Sequence, residues 1–269
     1  MNITVDSYFG GRKTRYLLIP SYEGHPEVPA LIHYSPNMEE EETTQNWVVW
    51  SHGGSWQYGS ALSWSSATAQ LSYLSGWNLL SVDYRLAPEH PHPAAIIDIL
   101  TAISWIRRTY PHARIVIGGD SAGGTLATCA AATSYGKRQA LEAQILAYPP
   151  PLDPTCQAGS YNANPMSFPQ AETLRKAWKL LQGHNQSPHY TPHIPITPFE
   201  VANLNGICRT YLIVGEHDPV RDDVYLYAKN LCAAAVPVEC KVLLGVLHGD
   251  FLKYNSPTIH YISSLLQDI

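Results

Sequence analysis

A chain of 269 residues with 45% hydrophobic and only 14% charged residues can bury one sizeable core and does not have the composition of a disordered protein. Its formal net charge of −5, with 17 scattered Lys and Arg, leaves no basic footprint for nucleic acid. No apolar run approaches the roughly 18 residues of a membrane helix, and the N-terminus lacks the apolar stretch of a signal peptide.

Five cysteines, odd in number and without a C-x-x-C pair, point to a reducing compartment, so a soluble cytoplasmic protein is expected. Cys208 and Cys240 lie in apolar runs and are expected to be buried thiols. The acidic run Glu39 to Glu42 reads as a solvated loop. Nothing in the sequence sets the oligomeric state; a homo-oligomer is compatible with it.

In chain order, Tyr16 to Ile19, Ala30 to Tyr34 and Trp47 to Ser51 read as strands separated by Pro- and Gly-bearing turns. Ser63 to Ser75 reads as a helix, Leu79 to Tyr84 as a strand, and Ala94 to Thr109 as an amphipathic helix. Ile115 to Ile117 forms a strand and Thr125 to Ser134 a helix. Ala143 to Ala147 and Thr210 to Val214 are further strands. Val224 to Ala235 follows as a helix, Val238 to Leu244 as a strand and Thr258 to Gln267 as a last helix. From residue 47 onward this alternation predicts one α/β domain, with a mostly parallel sheet and helices on both faces. The rhythm breaks at about 150–198, a stretch rich in Pro, Asn, Gln, His and Tyr in which only Pro169 to Gln182 is clearly helical. Insertions of that length between two strands often act as lids.

Chemistry is concentrated at three strand ends. Gly119-Asp120-Ser121-Ala122-Gly123 is a G-x-S-x-G element between a strand and a helix, the setting of a nucleophile elbow. A serine nucleophile needs a base, an acid to orient that base, and donors for the oxyanion. On this kind of sheet the order is serine, acid, histidine. Asp218 follows the strand Leu212 to Val214, and His248 follows the strand Val238 to Leu244. Ligands bind at the carboxyl ends of the strands in open α/β sheets, so all three fall at one edge. Oxyanion donors are expected from the backbone N–H groups of Ala122, Gly54 and Ser55, with Gly53 shaping the loop, because His52-Gly53-Gly54-Ser55-Trp56 directly follows an early strand.

The strings HGGSW (52–56), DYRLAPEHPHPAAIID (83–98), GDSAGG (119–124), GEHDPVRDD (215–223) and LHGD (247–250) resemble, in order, the hormone-sensitive-lipase family of α/β-hydrolase esterases. The resemblance implies an α/β-hydrolase fold and a carboxylic-ester hydrolase. Ser121 is then the nucleophile, His248 the base and Asp218 the acid, with no metal or organic cofactor. Three departures stand out. Ser55 replaces the third glycine of the family's HGGG, Asp250 occupies a position usually held by Phe, and only about a dozen residues precede the first strand where the family carries a helical cap. A shortened cap suggests small or medium acyl chains in a small-molecule ester. HGGSWQ also resembles the H-G-G-x-W motif of kynurenine formamidases. An acyl transferase or cyclase would use the same mechanism with another acceptor. Plant gibberellin receptors share the scaffold but lack the histidine that His248 supplies here.

Asp222, Asp223 and Asp250 compete with Asp218 for the acid, although first-turn carboxylates at 222 and 223 are explained by helix capping. The histidine pairs His90/His92 and His189/His193 imitate metal-ligand spacing, but prolines deny both a helical face, so they read as loop residues. Asp120 reads as an anchor for the elbow. Trp56 is a candidate pocket residue, with Tyr58 and Trp64 weaker ones.

Overall fold

A computed structural model describes residues 5–9, 12–21, 24–36, 45–136, 140–149, 159–163, 168–183, 194–201 and 204–269. Its strands are β1 (Val5–Phe9), β2 (Arg12–Ile19), β3 (Val28–His33), β4 (Asn46–Ser51), β5 (Asn78–Val82), β6 (Arg114–Asp120), β7 (Ala143–Ala147), β8 (Arg209–Gly215) and β9 (Val238–Leu243). The helices are α1 (Ser65–Ser75), α2 (Ala94–Thr109), α3 (Ala122–Gly136), α4 (Ser160–Ala163), α5 (Ala171–Gln182), α6 (Arg221–Ala233) and α7 (Pro257–Asp268).

The nine described strands form one sheet in the order β1-β2-β3-β5-β4-β6-β7-β8-β9. From β1 to β5 each neighbouring pair in that order runs antiparallel. From β5 to β9 every pair is parallel. The central parallel strands, β5, β4, β6, β7 and β8, read as near-continuous apolar runs because helices cover both faces. Every residue of β5 and β7 is buried, as are all of β4, β6 and β8 but the first. One strand, β1, was not anticipated, and it pairs with the first part of β2.

The topology decides where a site can form. β4 sits between β5 and β6, so the chain departs in opposite directions from the two sides of β4. A crevice at the carboxyl ends of strands opens at such a switch point. The loop after β4 and the turn after β6 border it.

Local signals explain several helix ends. Gly76 stops α1 in the left-handed conformation (φ 75°) and donates its N–H to Ser72. Ser256 caps α7 by accepting from Ile259 N–H at 3.2 Å, with Pro257 in the first turn. Arg85 grips Asp98 of α2 through both carboxylate oxygens at 2.8–3.1 Å, fixing the loop after β5 to that helix.

One cysteine expectation fails. Cys240 is exposed, because β9 is an edge strand with only one neighbour and its outer residues face solvent; Cys208 is half-buried. Cys156, His189, His193 and the acidic run Glu39 to Glu42 lie outside the described residues. So does much of the 150–198 segment.

Candidate active site

The turn after β6 carries Ser121 with a φ of 50°, a left-handed conformation unusual for a residue with a side chain. The turn is held by Ser121 N–H donating to Ala147 C=O at 2.9 Å. Its glycines follow from clearance. A Cβ on Gly119 would lie 2.5 Å from Gly123, and one on Gly123 would lie 1.9 Å from the carbonyl oxygen of Ser51. Helix α3 therefore packs backbone to backbone against the ends of β4 and β6, and the serine is pushed out at its N-terminus.

His248 and Asp218 meet it there. Ser121 Oγ lies 2.8 Å from His248 Nε2. His248 Nδ1 lies 2.9 Å and 3.0 Å from the two oxygens of Asp218. A carboxylate only accepts, so Nδ1 carries the proton and Nε2 is left to accept from Ser121. The histidine and aspartate side chains are 2% and 0% exposed. Asp218 is itself oriented by Val220 N–H, which donates to Oδ1 at 3.0 Å.

The loop after β4 faces the same hydroxyl. A Cβ on Gly53 would sit 3.1 Å from Ser121 Cβ, so the two turns touch. Gly54, Ser55 and Trp56 all have positive φ (120°, 53° and 62°). Gly54 C=O accepts from Gln57 and Tyr58 N–H at 3.0 and 2.9 Å, which closes the loop on itself. At Gly54 a Cβ would meet Tyr58 C=O at 2.0 Å, so glycine is required there. His52 anchors the base of the loop. Its Nδ1 donates to Gly53 C=O at 2.7 Å, its ring stacks on Tyr84 at 4.3 Å, and burial lowers its pKa, keeping it neutral. Ala122, the first residue of α3, is fully buried beside Ser121.

A family model described as alpha/beta hydrolase fold matches residues 48–252. The chain belongs to the α/β-hydrolase family. Carboxylesterase NlhH of Mycobacterium tuberculosis is 31% identical over 237 residues, covering 85% of this chain and 72% of that protein. Esterase LipI of the same species is 33% identical over 211 residues, covering 75% of this chain. The chain spans 64% of LipI, less than two thirds of it. Among solved structures, an esterase of Pyrobaculum calidifontis is 27% identical with a TM-score of 0.80, covering 95% of this chain and 85% of that one.

In this α/β-hydrolase the rival carboxylates have other partners. Asp250, singled out as a second acid beside the base, turns away to α7. Its Oδ2 accepts from Ser256 Oγ at 2.8 Å and Thr258 Oγ1 at 2.9 Å, and Lys253 pairs with Oδ1 at 3.2 Å. Burial raises its pKa, but the hydrogen bonds from Ser256 and Thr258 outweigh that and hold it below the usual range. Asp222 and Asp223 do lie in the first turn of α6, yet they also reach across to α4. Asp222 accepts from Ser160 N–H at 2.9 Å and Asp223 from Tyr161 Oη at 2.8 Å.

The aromatic residues divide differently from the sequence expectation. Trp64 is half-buried, and its Nε1 donates to both oxygens of Asp120 at 3.1 Å, which fixes its ring beside the elbow. Tyr58 is 68% exposed. Trp56 is buried and meets Trp178 of α5 edge to face, with centroids 5.5 Å apart. The base is flanked by two rings, Tyr148 at 4.7 Å and Phe168 at 5.9 Å, neither of them singled out from the sequence. A positive φ of 40° at Tyr148, just past β7, had no signal in the sequence beyond the neighbouring prolines. His92 Nε2 donates to Ile194 C=O at 3.0 Å and its N–H to Leu181 C=O at 2.8 Å, so this histidine ties down the end of α5 and Ile194. Among the described residues no group of three or more His, Cys, Asp or Glu could hold a metal ion, and no helix is long and apolar enough to cross a membrane.

Proposed function

We propose that this α/β-hydrolase is a serine esterase that cleaves carboxylic esters of small to medium acyl chain through an acyl-serine intermediate. The observation that carries this is the unbroken hydrogen-bond chain from Ser121 Oγ through His248 to Asp218. Carboxylesterase and esterase relatives support the choice of bond.

As substrate binds, His248 Nε2 takes the proton of Ser121 while Oγ bonds to the ester carbonyl carbon. Negative charge moves to the carbonyl oxygen, where the N–H groups of Gly54, Ser55 and Ala122 are the donors in this reading. Asp218 holds the imidazole in the right tautomer and stabilises the imidazolium. The C–O bond to the alcohol then breaks and the alcohol leaves with the proton from His248. Water, deprotonated by His248, then attacks the acyl carbonyl carbon, the C–Oγ bond breaks, and His248 returns the proton to Ser121 Oγ as the acid leaves.

Trp56 and the insertion at about 150–198 form the acyl-side wall and lid in this reading, supported by the Trp56–Trp178 contact and by Phe168 beside the base. No step calls for a cofactor, and the location is proposed to be cytoplasmic. Labelling with a fluorophosphonate probe tests the nucleophile: the native protein should label and Ser121→Ala should not. A p-nitrophenyl ester series beside N-formylkynurenine tests the bond. Strong formamide turnover with negligible ester turnover would replace the esterase reading with the formamidase one.

A further inference from the structure

Asp120, the residue before the nucleophile, takes no part in the mechanism above, yet it is a carboxylate only 2% exposed. Its side-chain hydrogen bonds come from neutral donors. Trp50 Nε1 donates to Oδ1 at 3.1 Å, and Trp64 Nε1 lies 3.1 Å from each oxygen. Burial pushes its pKa up to about 6 even though the indoles of Trp64 and Trp50 favour the anion. A buried acid with no Lys or Arg hydrogen-bonded to it among the described residues is costly to keep, although the charge of protonated His248 favours its anion, and its contacts lead to both halves of the site.

On one side the carboxylate reaches the oxyanion loop. A Cβ on Gly53 would lie 2.8 Å from Asp120 Oδ2, so the loop rests directly on that oxygen. Trp64, held by the same oxygens, packs 5.1 Å from the His52 ring. Gly59, past the tip of the loop, is wedged against both rings: a Cβ there would be 2.7 Å from His52 and 2.9 Å from Trp64. On the other side, Trp50 stacks on Phe251 at 4.6 Å. Phe251 N–H donates to Tyr148 Oη at 3.1 Å, and the Tyr148 ring lies against His248.

We propose that Asp120 is a positioning residue that registers the oxyanion loop and the base against one nucleophile, acting through Trp64 and Gly53 on one side and Trp50 on the other. The proposal rests on Ser121 being the nucleophile. The chemistry explains why an acid is needed. An asparagine could accept from both indoles with one oxygen, but its NH2 group would then occupy the other position. There it would face Trp64 N–H donor to donor and press on Gly53, so the loop would shift.

The test compares Asp120→Asn, Trp64→Phe and the double variant, with kcat expressed per active site titrated by the fluorophosphonate. Asp120→Asn is expected to lower kcat about 10- to 100-fold with KM within threefold, because misplaced oxyanion donors act on the transition state. Trp64→Phe should lower kcat about tenfold. The double variant should be no more than about threefold below the worse single one, since both act through one contact. A role confined to stability would reduce the number of titratable sites and leave kcat per site alone. A kcat within twofold of wild type in Asp120→Asn, or fully multiplicative losses in the double variant, overturns the proposal. Should Asp120→Asn not fold, a kcat within twofold of wild type in Trp64→Phe overturns it instead. Absence of labelling in the wild-type protein would point to a different failure, that of the nucleophile assignment.

Discussion

The elbow and the described residues of the segment that follows β7 (159–163, 168–183 and 194–201) are held in place by different means. Around Ser121 the chain packs backbone on backbone, with no room for a Cβ at Gly119, Gly123 or Gly54. Those described residues are instead tethered mainly by side chains: Asp222 to Ser160, Asp223 to Tyr161, His92 to Ile194, and Trp56 against Trp178. Backbone packing leaves almost no substitution that preserves the geometry. Side-chain tethers can be exchanged one at a time, so the second region tolerates changes that the first does not.

The sharpest break in that contrast is Gly123→Ala. Its Cβ would fall 1.9 Å from Ser51 C=O, so α3 must separate from β4. A loss of about 3 kcal/mol or more is expected from overpacking, together with loss of activity, measured by urea unfolding and ester turnover. Next come the two carboxylates near the base. Asp218→Asn should lower kcat by about 10⁴ through the wrong histidine tautomer. Asp250→Asn should leave kcat within about twofold and cost about 1–3 kcal/mol of stability, as it holds α7 rather than His248. Equal kinetic losses in the two variants would mean that Asp250 also acts on the base.

A pH experiment separates stability from function at the elbow. Asp120 has a pKa near 6 in the folded protein against 3.8 for the ordinary carboxyl. Between those values the folded chain keeps a proton that the unfolded chain has lost, so stability from this group falls as pH rises. The penalty is absent below about pH 4 and complete above pH 6, on the order of 3 kcal/mol. The stability of Asp120→Asn relative to wild type should therefore improve from pH 4.5 to 7.5, read from urea midpoints. A pH-independent difference would show that the carboxyl is not shifted.

In the second region, Asp223→Asn weakens the bond to Tyr161 by about 1.5–3 kcal/mol. It should change the ratio of long- to short-chain ester turnover severalfold while kcat for an acetate ester stays within about twofold. Smallest of all, Ser55→Gly relieves a φ of 53° and should alter stability by less than about 1 kcal/mol. An ester series would show whether it broadens acyl acceptance.

Much of this organisation was legible in the residues themselves. The helix Ala94–Thr109 and the strand Ala143–Ala147 match their sequence boundaries, because each is an uninterrupted periodic or apolar run between clear stops. The strand β1 was missed, since a short strand stabilised only by pairing with β2 leaves little pattern of its own. Burial of Cys240 was misjudged for a related reason: an apolar run does not say whether its strand is central or at the edge.

Sequence alone determined the order of the motifs, the glycines that permit the elbow, and the serine, acid and histidine at three strand ends. Those are local properties of turns and periodic runs. Only the tertiary structure decided which of four carboxylates faces His248, that Trp64 donates to Asp120, and that Tyr148 and Phe168 flank the base. Hydrogen bonds and ring contacts depend on where strands end in space and which way side chains point, and residues 30 to 127 positions apart are brought together only by the sheet.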